Sequence, residues 1–130
     1  MTIIKKQENK AIIFWFLVII WMVIICIGSS ISVLPGTESL SDSDFNLISS
    51  IVHVILYAVL TGLLINALLF SNVKPSKALI FGFLFAIFYG ITDEFHQSFV
   101  INREPHISDW LLDVAGGLIV FYFYRYKLKK

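Results

Sequence analysis

The residues able to do chemistry are gathered in one stretch of the chain. Between Tyr89 and Gly117 lie five of the nine carboxylates, Asp93, Glu94, Glu104, Asp109 and Asp113, with Arg103 and two of the three histidines, His96 and His106. The remaining histidine, His53, precedes them by some forty residues. Carboxylates near an imidazole can move protons, one acting as base and the ring as acid. The same carboxylates attract amines and cations, whereas an arginine grips a phosphate or carboxylate by two parallel hydrogen bonds.

The elements that must position these groups are membrane helices. The chain has 130 residues, room for one domain, and is 58% hydrophobic with only 15% charged residues; soluble domains carry about 25%. Its mean hydropathy is +0.83. A helix crosses the hydrocarbon core with about 20 mostly apolar residues, and four runs qualify: Ala11 to Ser30, Ile48 to Phe70, Ala78 to Phe95, and Ser108 to Tyr124. The fourth is shorter and carries Asp109 and Asp113, but Leu111 to Tyr124 is otherwise almost free of polar residues, and Trp110 suits an interfacial anchor. The expectation is an all-α, polytopic four-helix bundle forming a single domain over residues 1–130. Lysines before the first run also suit a cleaved signal peptide, but the run is long and no small-x-small pattern follows it cleanly. Cys26, the sole cysteine, lies within the first span and can form no internal disulfide.

Charge sets the expected topology. Nine of the ten Lys and Arg residues fall before the first span, between the second and third, or after the fourth. By the positive-inside rule both termini are then cytoplasmic. The segment Ile31 to Leu47 has Pro35-Gly36, Glu38, Asp42 and Asp44 but no Lys or Arg, and is expected outside. Arg103 is the one basic residue on that side.

This topology places polar residues of three helices at similar depth. His53, Asp93 and Asp113 each lie a few residues inside the outer boundary, within about 10 Å at about 1.5 Å per residue. His53, Tyr57 and Thr61 share one face of the second helix, Tyr89, Asp93 and Gln97 one face of the third, and Asp109, Asp113 and Gly116 or Gly117 one face of the fourth. A charge facing lipid at mid-helix costs about 2.5–3.5 kcal/mol on insertion scales, so these stripes should face inward or toward water. The glycines permit close helix approach. Arg103 is the natural counter-ion, and the outer pocket should be net acidic. Simpler roles compete with these. His53 alone is more often a hydrogen-bonded core residue, and Asp109 suits the first turn of the fourth helix with Ser108 as its cap. Neither explains Asp93 or the deeper Asp113. Glu94 and His96 point away from the Asp93 stripe and are expected in the headgroup layer, His106 in a loop.

The order Tyr89-Gly90-x-x-Asp93-Glu94-x-x-Gln97, then Arg103, then Ser108-Asp109 and Asp113 before Gly116-Gly117, closely resembles the VanZ-like family of small bacterial membrane proteins. His53-x-x-x-Tyr57 and Ser29-Ser30 are similar to family features in the first two spans, so the resemblance covers essentially the whole chain. The Asp-Glu to Arg to Ser-Asp series is its specific part; His-x-x-x-Tyr alone is weak. Asn102 stands before Arg103, and Val114-Ala115 before Gly116 where the family often has an asparagine, so no such asparagine acts in this fourth helix. The resemblance implies a multi-pass protein of the bacterial cytoplasmic membrane, linked to resistance to the lipoglycopeptide teicoplanin.

Three functions follow as expectations. The first is an envelope protein whose outer pocket, built from His53, Tyr57, Tyr89, Asp93, Gln97, Arg103, Ser108, Asp109 and Asp113, binds a lipid headgroup or an amphiphilic antimicrobial. The second is an intramembrane enzyme acting on a lipid or lipid-linked substrate, with Asp93 or Asp113 as base and His53 as acid. This reading leaves room for a divalent metal, but no lipid-phosphatase-like or zinc-protease-like ligand spacing and no activated serine support it, and no cofactor is assigned. The third, ion-coupled transport, requires a homodimer and an acidic relay toward the cytoplasm, where only Asn66 is strongly polar in the second span. Membrane lipids are the expected partners, and nucleic acid is not.

Overall fold

A computed structural model describes residues 2–31, 41–101, 103 and 105–129, without the side chains of residues 2–6, 42 and 45. Pro35, Gly36, Glu38, Asn102, Glu104 and Lys130 lie outside the described residues. Four helices account for nearly all of the rest: α1 (Thr2–Ser29), α2 (Asp42–Phe70), α3 (Pro75–Gln97) and α4 (Ile107–Lys127). All four are long and apolar enough to cross a membrane, and no strand occurs among the described residues.

The helices begin earlier than the apolar runs because hydrophobicity marks only what can sit in lipid. α1 extends back through the polar turns around Lys10, and α2 starts at Asp42, where the Ser41 hydroxyl accepts the Asp44 N–H at 3.3 Å. Such a cap satisfies an otherwise orphaned amide of the first turn. Pro75 opens α3, at a position whose N–H has no helical acceptor in any case. The chain reverses between α2 and α3 through Asn72 at φ 60°, a left-handed conformation that asparagine tolerates. α4 corrects an expectation. His106 occupies its cap position, without a side-chain cap bond, while Ser108 lies inside the first turn and is exposed.

Cross-helix bonds set an up-down-up-down order. From the middle of α1, the Trp15 indole donates to Ser71 just after α2; just past its end, Ser30 meets His96 at the end of α3. His53 near the start of α2 meets Asp113 near the start of α4, and Asn66 meets Tyr124 farther along the same two helices. One end of the bundle therefore carries Ser30, His53, His96, Arg103 and Asp109, and the other Lys10, Lys74, Lys77 and Arg125. We call these the acidic and basic ends.

α2 is the central helix. It packs on α4, α1 and α3, whereas α1 makes no contact with α4. The α2–α4 seam is close because Gly116 lies against the α2 backbone, where an added Cβ would collide with the Val54 carbonyl. Tyr57, Leu60, Leu64 and Ala67 of α2 join Val18 and Ile25 of α1 and Ala86 of α3 in one buried cluster. The outer faces remain apolar, with residues such as Phe16, Phe88, Phe95 and Ile119 exposed, as expected where lipid is the solvent.

Candidate functional site

The polar stripes of α2, α3 and α4 all turn inward. His53 is 8% exposed, Asp93 5%, Gln97 1% and Asp113 2%, with Tyr57 and Thr61 fully enclosed. The centre of the arrangement is His53, whose Nδ1 lies 2.9 Å from Asp113 Oδ1 and whose Nε2 lies 3.9 Å from Asp109 Oδ2. Asp109 therefore does more than favour the start of α4: it is the second acid on the imidazole. Gly90 admits the pair, since a Cβ there would stand 3.1 Å from Asp113 Oδ2 and 3.3 Å from the Tyr57 ring.

A chain of bonds continues along the same buried face of α3. Arg103 Nη1 donates to Gln97 Oε1 at 3.1 Å, and Gln97 Nε2 donates to Asp93 Oδ2 at 3.2 Å. The remaining guanidinium bonds, from Nε and Nη2, go to the Ile31 carbonyl at 3.2 and 2.9 Å. Arg103 thus differs from the expected counter-ion. It is bonded to no carboxylate among the described residues and acts on Asp93 through the Gln97 amide, tying the entry to α4 to the end of α1. His53, Tyr57, Asp93, Gln97 and Arg103 line one cavity of about 60 Å³, closed on its apolar side by Ile25 and Leu56.

Two expected site residues, Tyr89 and Ser108, stand apart from that cavity, and Trp110 has a partner on α3. The Tyr89 hydroxyl donates to the Met22 carbonyl at 2.7 Å, toward α1. The exposed Ser108 hydroxyl reaches no farther than Asp109, at 3.4 Å. Trp110, expected as an interfacial anchor, instead turns its indole onto the Ile87 carbonyl of α3 at 3.3 Å.

Glu94, expected to be solvated, is drawn into the bundle instead. It is half-buried, accepts the His106 N–H at 3.0 Å through Oε2, and places a carboxylate oxygen in one group with His53 and Asp113. Helical spacing from Asp93 puts Glu94 on another face of α3, but α4 wraps that face too. The missed signal was the short connection between the two helices, which leaves α4 no course except along it. Glu94 also lines an apolar groove of about 330 Å³ between α3 and α4, with Ile91, Pro105, Ile107 and Trp110.

Among the described residues, four shielded side-chain atoms have no hydrogen-bond partner: Tyr57 Oη, Thr61 Oγ1, Glu94 Oε1 and Asp113 Oδ2. Such atoms are few in native proteins, and each needs a physical reason. Buried carboxylates, an imidazole and unsatisfied oxygens at one end of a bundle suit proton transfer, cation or amine binding, or both.

Four membrane-length helices around an inward-facing acidic cluster define a multi-pass membrane protein with a polar intramembrane site. Residues 14–128 match the sequence profile of the family described as VanZ/LLP1, and the chain belongs to that family. No curated protein and no solved structure matches it.

Proposed function

We propose that this protein holds the small polar head of an amphiphile in the cavity at its acidic end, at the outer leaflet of the bacterial cytoplasmic membrane, and so alters susceptibility to teicoplanin-type glycopeptides. The observation that carries this reading is the joint lining of one cavity by Asp93, Gln97, His53 and Arg103 within an apolar bundle. A zwitterionic headgroup answers both signs, its amine toward the carboxylates and its phosphate toward Arg103.

Size narrows the ligand. Pockets for drug-sized molecules run from about 300 to 1,000 Å³, so a cavity of about 60 Å³ takes a headgroup and not the body of a glycopeptide. The groove between α3 and α4 has the volume and apolar lining for part of an acyl chain. Nine of ten basic residues away from the acidic end support its outward placement.

Susceptibility of cells expressing Asp93→Asn or Arg103→Gln, with insertion verified, tests the reading. Loss of protection in both is expected, and unchanged susceptibility in both overturns it. The 2.9 Å contact of His53 with Asp113 favours a second reading, acid–base catalysis on a lipid-linked substrate. Turnover of a labelled lipid by the purified protein, abolished by Asp93→Asn, would select catalysis over binding.

A further inference from the structure

We propose that His53, Glu94 and Asp113 form a binding site for a divalent transition cation of the Zn²⁺ class. One ligand atom from each residue lies within 4.8 Å of the others, and the three come from α2, α3 and α4. Zn²⁺ bonds nitrogen and carboxylate oxygen at about 2.0–2.2 Å in a tetrahedron, so its ligand atoms stand about 3.4 Å from one another. The ligand atoms must draw together by up to about 1.4 Å, shared between side chains, to close the set on that geometry.

Two further observations point to a cation. Asp113 Oδ2 is unpartnered although Asp113 is only 2% exposed, and Glu94 Oε1, in the same group, is unpartnered too. Four carboxylates, Asp93, Glu94, Asp109 and Asp113, stand at this end, and among the described residues their only ion pairs are those of Asp109 and Asp113 with His53. Arg103, the nearby basic residue, is bonded to the Ile31 carbonyl and Gln97. Buried charge without a partner costs several kcal/mol. A dication between Glu94, Asp113 and a neutral imidazole cancels both negative charges.

The donor set selects the ion. One imidazole nitrogen with two carboxylates suits Zn²⁺ and its first-row neighbours, whereas Ca²⁺ takes six to eight oxygens and Mg²⁺ keeps an octahedral, largely hydrated shell. Three protein ligands are one fewer than a closed structural zinc site uses, so a coordination position remains for water or an incoming group. The absence of metal-ligand spacing along the chain is consistent with this, because the ligands lie on three helices. The inference does not depend on the headgroup reading, since the metal alone is the ligand.

The test is titration of the full-length, chelator-stripped protein in detergent with Zn²⁺ alone, followed by calorimetry and by elemental analysis after desalting. One ion per chain is expected, with affinity falling at least tenfold in Asp113→Asn and in Glu94→Gln and remaining unchanged in Glu8→Gln. Monodispersity and helical circular dichroism verify folding, and the half-buried Glu94→Gln serves if Asp113→Asn does not fold. No Zn²⁺ bound by the folded wild type, equal binding in folded Glu94→Gln, or equally tight Mg²⁺ binding would each overturn the assignment.

Discussion

The two ends of the bundle use the same helices and the same apolar wall, yet they treat buried polar groups in opposite ways. At the basic end the half-buried Asn66 has local partners, donating to the Gly62 carbonyl and to Tyr124, while the exposed Trp15 donates to Ser71 and the exposed Ser71 to the Ala67 carbonyl. Lys10 extends its ammonium over the Phe70 ring at 5.2 Å. At the acidic end Tyr57 Oη, Glu94 Oε1 and Asp113 Oδ2 have no hydrogen-bond partner among the described residues, and His53 stands between Asp109 and Asp113; Thr61 Oγ1, about two turns deeper than His53 on α2, is unpartnered as well. A bundle needing only stability would be built throughout like the basic end. The difference supports the proposal that ligand handling falls to the acidic end and packing to the other.

The largest effect should come from stripping the imidazole. His53→Ala leaves Asp113 and Asp109 facing each other without a base, and breaking a buried pair in this way costs about 3–5 kcal/mol. Thermal unfolding in detergent should show it as a pronounced loss. Replacing His53 and Asp113 together by leucine should restore most of the stability, because an apolar pair of similar volume is often neutral or better. That recovery would separate what the site does from what holds the bundle together.

Next in size is Gly116→Val. Its side chain meets the Val54 carbonyl and forces α2 and α4 apart, at a cost of about 1–3 kcal/mol or more. The same denaturation measurement reads it. The smallest effect should come from the basic end: Asn66→Leu with Tyr124→Phe removes both partners at once, which is nearly neutral. A midpoint unchanged within error sharpens the contrast between the ends, while a loss matching His53→Ala would abolish it.

Hydrophobic runs, glycine positions and charge asymmetry made the four helices and the inward turn of His53, Asp93 and Asp113 legible, because lipid penalises any other arrangement of those residues. Helix starts were less legible, since capping by Ser41 and helical continuation before Ala11 do not depend on hydrophobicity. Side-chain partners were the least accessible. Arg103 was paired with carboxylates on charge alone, but the backbone near Ile31 and the Gln97 amide hold it instead. Glu94 was assigned by its angle from Asp93 on one helix, and its role depends on how α4 lies across α3. Contacts between helices are set by packing, which single-helix periodicity does not carry.

The most direct measurement is a high-resolution structure of the wild-type protein in lipid nanodiscs. The account predicts His53 within hydrogen-bonding distance of Asp113 or sharing a ligand with it, and non-protein density touching Asp113 Oδ2 or Glu94 Oε1. His53, Glu94 and Asp113 separated beyond side-chain reach, or closed on one another with no density between them, would contradict it.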